Sequence, residues 1–452
     1  MRYALRAFCM LGVLFLVSAG MPRAASGTAI GSDHRISVPL AQDGSPAIGL
    51  RVALGRILGE HAFLLMEAMR ASDDAERTVL ESALDENSDS LTEAISSIYG
   101  ERVGRRFADI WDRHIGLLLD YGAAVREDDA EEQRNARDGL SAYMTELGEL
   151  LAKINPGLDA AQEAQALQAH IDQIAAFAEG DYADAFASHR IAFSHMFELG
   201  DHLALEIVRQ HPKQFVDGAV AFSPRSDLQL ALDHLLGEHM ILAAQAMRAG
   251  VHGAPEFDAA SASLDENSAD LADAIAGIYG EEAGAQFGEV WREHTAAYLS
   301  FVQALGQGDA AERERSLALL HTYHEHIARF LATANPRLDA TAVADLIRRH
   351  VQALITQAEA TEAGDPARAI AATREGYGGT FEVGAALAGA IAQQFPNRFA
   401  DLDELPTTDL VLEPGALQPV FPLIAALVFV ASLWFALKTL PARRRTRAPR
   451  SR

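Results

Sequence analysis

The chain has 452 residues, 49% of them hydrophobic and 22% charged, so it is long enough for two folded domains and is not disordered. Its 63 acidic residues outnumber 38 basic ones, giving a formal net charge of -25. This balance argues against nucleic acid as a partner, because phosphate backbones are held by surplus Lys and Arg. The single cysteine, Cys9, excludes a disulfide framework and cysteine-based metal or haem-attachment motifs.

The N-terminal residues 1–26 have the pattern of a secretory signal. Arg2 and Arg6 precede an apolar run over 8–17, and small residues follow it. We predict cleavage after this segment, with an uncleaved anchor as the alternative. Residues 27–46 are predicted to be a disordered linker.

A charge-free apolar stretch over 420–437 predicts one membrane-spanning helix near the C-terminus. The tail 438–452 carries seven basic residues and no acid, so the positive-inside rule predicts a cytoplasmic tail. We therefore expect a single-pass cell-membrane protein whose bulk is extracytoplasmic. Its strongly acidic outer part favours cations as partners, and no motif identifies a protein partner.

Most of the remaining chain is an internal duplication. Residues 85–176 align with 265–356 without a gap and give 31 identities in 92 positions. Chance would give about five or six. We assign four segments in chain order. They are copy one (47–215), a linker (216–226), copy two (227–399) and an acidic, proline-containing stalk (400–418).

The apolar residues of each copy recur at spacings of three and four, which predicts an all-α fold without strands. Cap and turn residues interrupt this pattern at five places in copy one and divide it into six helices. Short loops make consecutive helices antiparallel, so we predict two tandem up-and-down bundles of about six helices each. The predicted helices of copy one are 49–71, 74–98, 101–126, 130–154, 160–179 and 182–210.

Each predicted helix of copy one carries one polar residue near the middle of its apolar face. Because helix midpoints stay level in an up-and-down bundle, these residues should form one polar layer across the bundle. In chain order they are His61, Asn87, His114, Tyr143, His170 and His195. Copy two repeats five of them as His239, Asn267, His294, Tyr323 and His350, whereas Gly379 replaces His195.

Mid-helix histidines that converge from facing helices are one way in which bundles bind transition metals. We predict that the seven layer histidines ligate copper or zinc, surrounded by the two asparagines and two tyrosines of the layer. A b-type haem held by two facing histidines is one alternative. A hydrogen-bonded layer with a purely structural role, in a sensing or adhesion ectodomain, is the other.

Other chemistries have less support in the sequence. A di-iron centre is disfavoured because Glu60 and Glu238, although adjacent to layer histidines, point about 100° away from them. The chain has no hydrolase or nucleotide-binding motif, so we predict a protein without catalytic activity.

The two copies are not expected to be equal. Because copy two lacks a counterpart of His195, copy one should bind the metal about tenfold more tightly. Alternatively, His321, His324 or His326 replaces the missing ligand in copy two. Metal-induced stabilisation should fade below about pH 6 if the histidines have ordinary pKa values.

Copy one also contains Tyr99-Gly100-Glu101, Asn155-Pro156 and a closing Gln-x-Pro-x-x-Phe at 210–215. Together with the layer, this pattern resembles a family of exported bacterial helical-bundle proteins, some of which are labelled copper amine oxidase-like. The resemblance covers both copies, about three quarters of the chain, and departs from the pattern at His211, where the family has an aromatic residue. The resemblance implies a similar bundle and no oxidase activity. Copper is suggested only by the label that some members of the family carry.

Overall fold

The structure is a computed structural model that describes residues 45–71, 73–402 and 405. Within these residues it contains 13 α-helices and no strand, which confirms the predicted all-α class, and the helix beyond the twelve predicted is the short α7. The helices are α1 (Pro46–Arg70), α2 (Asp74–Tyr99), α3 (Glu101–Arg126), α4 (Ala130–Ile154), α5 (Ala160–Glu179), α6 (Tyr182–Gln210), α7 (Gly218–Ala221), α8 (Pro224–His252), α9 (Phe257–Tyr279), α10 (Glu281–Gln307), α11 (Ala310–Ala334), α12 (Ala340–Glu362) and α13 (Pro366–Gln394).

Several predicted segments lie outside the described residues. They are the signal, nearly all of the linker over 27–46, most of the stalk, the membrane span over 420–437 and the basic tail. No helix in the described part combines the length and the apolar character needed to cross a membrane.

Local signals explain why the helices of copy one begin and end close to the predicted positions. The side chains of Asp73, Asp129 and Asp159 each accept hydrogen bonds from two backbone N–H groups of the following first turn. Gly100, with φ of 87°, ends α2 and begins α3 in a backbone conformation that L side chains rarely adopt. The helices α1–α6 therefore match the six predicted ones to within three residues.

Three helices form the centre of each copy. In copy one, α1, α3 and α5 contact one another, and each of α2, α4 and α6 lies against two of them. Copy two repeats this arrangement, with α8, α10 and α12 at the centre and α9, α11 and α13 outside. Because the chain reverses direction at each loop, the three central helices of a copy run in the same direction.

The central helix α1 and the outer helix α6 approach closely at Gly55 and Gly200. A Cβ atom added to Gly200 would lie 2.9 Å from the backbone nitrogen of Gly55. We expect Gly200→Ala to lower the free energy of unfolding by about 1–3 kcal/mol, because the two backbones would have to separate. Gly116→Ala is the control, since nothing lies within 4 Å of its Cβ position. Urea titrations that give equal stabilities for the two variants would contradict this close packing.

The two copies pack side by side and contribute to one hydrophobic core. Phe193 and Phe197 of α6 contact Tyr377 and Phe381 of α13, with ring centroids 6.3 Å apart for Phe193–Tyr377 and 6.2 Å for Phe197–Phe381. The segment predicted to be a linker, 216–226, holds the short α7 and the first residues of α8.

Arginines bridge the copies at two equivalent places. Arg190 of copy one pairs with Glu238 of copy two at 3.1 Å, and Arg374 of copy two pairs with Glu60 of copy one at 3.0 Å. Arg190 also contacts Glu266 and Asp270 of copy two, and Arg374 also contacts Glu86 of copy one. Since these residues occupy equivalent positions in the repeat, the contact resembles the self-complementary interface of a two-fold dimer. Glu60 and Glu238 thus point away from the histidine layer, as predicted.

Candidate metal centre

The histidines at the middles of the three central helices of copy two meet at its centre. His239, His294 and His350, which we call the copy-two triad, are at most 7% exposed. One ring nitrogen from each lies within 4.8 Å of the other two. This buried triad could hold a metal ion.

The closest pair in the triad already has the spacing of metal ligands. The Nε2 atoms of His239 and His294 are 3.3 Å apart. Two imidazole nitrogens on a tetrahedral zinc ion, each at about 2.0–2.1 Å from it, are separated by about 3.3–3.4 Å. His350 has to approach this pair more closely to complete the set.

Several polar atoms at the triad have no hydrogen-bond partner. Both ring nitrogens of His350 and Nδ1 of His239 are buried and unpaired. The Tyr323 hydroxyl and the Trp291 indole N–H are also unpaired, although both rings contact the triad. Each such group costs about 1–3 kcal/mol when buried. The Nε2 contact between His239 and His294 is also within hydrogen-bond distance, but it leaves these other groups unsatisfied.

Burial keeps the triad in the form that binds metals. Burial and the neighbouring His350 lower the pKa of His294 to about 3, and burial lowers the pKa of His350 to about 4. Burial, together with His294 and His350, lowers the pKa of His239 well below its usual range. Neutral imidazole is the ligating form, so the triad remains ready to bind below pH 6. The expected loss of binding near pH 6 assumed ordinary pKa values, and the lowered values move this expectation to a more acidic pH.

Copy one repeats the close pair but not the compact triad. The Nε2 atoms of His61 and His114 are 3.2 Å apart. The ring of His170 lies 6.4 Å from that of His61, compared with 5.5 Å between the equivalent rings of His350 and His239. Both nitrogens of His170 are nevertheless unpaired. Copy one therefore has the same donors in a wider arrangement.

The structure places the fourth predicted ligand of copy one, His195, beside this set. It lies on the outer helix α6, and its Nε2 donates a hydrogen bond to the carbonyl oxygen of Ala166 at 2.9 Å. Its ring centroid is 6.4 Å from that of His170. This bond occupies Nε2 and leaves Nδ1 as the nitrogen that could face a metal. The wider spacing of the rings in copy one, and not this bond, favours copy two as the candidate for the tighter site, the reverse of the order expected from the sequence.

The histidines of α11 do not replace a ligand in copy two. His321 and His326 are exposed, and His324 is partly exposed, whereas Tyr323 between them faces the core. His326 pairs with Glu293 at the surface, with Nδ1–Oε2 of 3.2 Å. The copy-two site therefore consists of three histidines from the central helices.

The predicted surrounding residues lie on two sides of the histidines. Tyr143 stacks on His114 with ring centroids 4.6 Å apart, and Tyr323 stacks on His294 at 4.5 Å. The two layer asparagines lie on another side. The Asn87 amide faces the turn of α1 that carries His61, and the Asn267 amide faces the turn of α8 that carries His239.

The site does not accommodate a b-type haem in this conformation. Axial histidines lie on opposite faces of the macrocycle, whereas the rings of His239 and His294 have centroids 5.3 Å apart and are packed against Trp291 and Tyr323. Trp291 also packs between Phe287 and the histidines, which leaves no space for a flat ring system.

Sequence reasoning missed the two bridging arginines. Their signal was present, since Arg190, Phe197 and Gly200 recur at a constant offset of 184 as Arg374, Phe381 and Gly384. The arginines and phenylalanines of this set lie at the contact between the copies, whereas Gly200 and Gly384 pack against the central helix of their own copy.

Comparisons with protein-family models, with curated proteins and with solved structures gave no match for this chain. The functional argument therefore rests on the geometry of the site.

Proposed function

We propose that this protein binds one zinc or copper ion tightly at His239, His294 and His350, without catalytic activity. The observation that supports this proposal is the convergence of three buried imidazoles, one nitrogen of each lying within 4.8 Å of the others. Imidazole nitrogen suits both metals. His61, His114 and His170 form a second, weaker site in this proposal.

The surroundings of the triad support a role in holding the ion. Catalytic metal sites keep a position open to substrate, whereas structural sites are closed. Trp291 and Tyr323, each 5% exposed, pack directly against the triad. We propose that the bound ion stabilises the bundle or reports on metal outside the cell.

The proposed location rests on the sequence alone. The signal-like residues 1–26 and the apolar stretch over 420–437 favour an extracytoplasmic protein anchored by one helix. The resemblance to exported bacterial bundle proteins is consistent with this location.

Competition titrations with a chelator of known zinc affinity test the proposal. The purified protein should bind one zinc ion tightly and a second more weakly. His239→Ala should remove the tight site. His61→Ala is the matched control, because His61 is the equivalent residue of copy one, and this variant should leave the tight site in copy two intact. Elemental analysis after gel filtration gives an independent stoichiometry.

Two outcomes would contradict the proposal. Loss of the tight site in His61→Ala rather than in His239→Ala would place the ion in copy one. Wild-type protein that retains neither zinc nor copper, together with a destabilised His239→Ala variant, would favour the purely structural layer.

A further inference from the structure

The turn of α8 that carries His239 is held from the other copy. Glu238 precedes His239 in the chain and is only 2% exposed. Its carboxylate forms a two-point ion pair with Arg190 of copy one, with Nε–Oε1 and Nη2–Oε2 distances of 3.1 Å each. A buried carboxylate depends strongly on such a partner, because an uncompensated buried charge is costly.

The same carboxylate orients an asparagine beside the metal ligand. The Asn267 amide nitrogen donates hydrogen bonds to Glu238 Oε2 at 2.8 Å and to the carbonyl oxygen of Leu235 at 3.0 Å. In an α-helix, this carbonyl also accepts the backbone N–H of the residue four positions on, which is His239. The amide therefore connects the carboxylate to the turn that carries the ligand.

The other end of this amide and the histidine ring each carry an unsatisfied group. Asn267 Oδ1 and His239 Nδ1 are both buried and have no hydrogen-bond partner. Histidines that bind a metal through one ring nitrogen usually donate the other N–H to an oxygen, which fixes the tautomer and the ring orientation.

Copy one contains the same connection with the roles of the copies exchanged. Arg374 of copy two pairs with Glu60 at 3.0 Å, and Asn87 donates to Glu60 Oε2 at 2.8 Å and to the Ile57 carbonyl at 3.0 Å. Ile57 lies four residues before His61. The asparagine distances are the same in both copies, so the arrangement is a repeated feature of the fold.

We propose that Arg190 and Arg374 are positioning residues, each of which orients a metal-ligating histidine of the other copy through a glutamate and an asparagine. Each site is then complete only when both copies are packed together. This inference rests on the proposed metal binding.

Arg190→Gln in the whole chain tests this inference, with cobalt(II) as the probe. Cobalt(II) gives visible bands that report on ligand geometry. We expect the affinity of the tight copy-two site to fall by about tenfold or more, as is typical when the partner of a ligating histidine is lost. Arg374→Gln should leave that site within about twofold. Arg349→Gln is the surface control, because Arg349 pairs with Glu382 in an exposed position of copy two.

Further variants separate positioning from a loss of stability. Arg190→Lys keeps the charge but not the two-point geometry, so its affinity should lie between those of wild type and Arg190→Gln. Combining Arg190→Gln with Asn267→Ala should weaken binding no more than Asn267→Ala alone, since both changes interrupt one connection. If Arg190 positions the ligand, the cobalt(II) spectrum of Arg190→Gln should change. If Arg190 only holds the copies together, Arg190→Gln should lower the melting temperature and leave the cobalt(II) spectrum unchanged.

The outcomes distinguish the two claims. Unchanged affinity and spectrum in Arg190→Gln, or equal weakening of the tight site by Arg374→Gln, would overturn the positioning role while leaving the metal site in place. Wild-type protein that binds neither cobalt(II) nor zinc would overturn the proposed function itself, and this inference with it.

Discussion

His350→Leu is expected to abolish the stabilisation that zinc confers, while leaving the metal-free protein as stable as wild type or more stable. At a free zinc concentration of 100 times the Kd, binding should stabilise the wild type by about 2.7 kcal/mol. The variant loses a ligand, so this gain should disappear. The free energy of unfolding of the metal-free variant should not fall. Both ring nitrogens of His350 are buried without partners, so replacing His350 by leucine leaves no other group unpaired.

Thermal melts with chelator and with added zinc measure both effects. His170→Leu is the matched control, since His170 occupies the equivalent position in copy one and also has two unpaired nitrogens. It should retain the zinc-dependent rise in melting temperature. A wild-type melting temperature that does not respond to zinc or copper, combined with a loss of about 1–3 kcal/mol in metal-free His350→Leu, would contradict the metal site and support a structural layer.

Metal-free protein is expected to lose stability steeply as the pH falls from 6.5 towards 4. Burial lowers the pKa values of His114, His189 and His350 to about 4 in the folded state, whereas unfolded histidine titrates near 6.5. The unfolded state therefore takes up protons first. Stability is fully present above pH 6.5 and is lost at about 1.4 kcal/mol per pH unit for each histidine.

Glu198 and Asp233 are among the carboxyl groups that act in the opposite direction. Burial and the nearby Asp201 raise the pKa of Glu198 to about 7, and burial raises the pKa of Asp233 well above its usual range. Both carboxyl groups take up protons in the folded state before they do so in the unfolded state, so they oppose the effect of the histidines. The buried histidines are more numerous, and the net effect remains a loss of stability on acidification.

Urea titrations at pH 7, 6 and 5 in the presence of chelator measure this dependence. His114→Leu should reduce the slope by about 1.4 kcal/mol per pH unit, since it removes one of the histidines that stay neutral. A free energy of unfolding that is constant between pH 7 and 5 would show that these histidines can take up protons inside the folded protein.

The amino-acid sequence by itself determined the helices and the level of the histidines along them. Helix starts depend on local groups, such as the Asp159 side chain, which accepts two N–H groups of the turn that follows it. Gly100 permits a corner that other residues rarely adopt. Because such signals act within a few residues, the duplication, the helix bounds and the burial of the seven layer histidines could be predicted, whereas the burial of His189 was not.

Only the tertiary structure decided which histidines meet. Helical periodicity shows that His170 and His195 both face the core, but it does not show that α5 is central and α6 is outer. That difference leaves both nitrogens of His170 unpaired, whereas Nε2 of His195 bonds to a carbonyl oxygen. The pairs Arg190–Glu238 and Arg374–Glu60 likewise join residues 48 and 314 positions apart. Contacts of this kind arise from the packing of whole helices and not from local preference, and they are the contacts on which the proposed metal site depends.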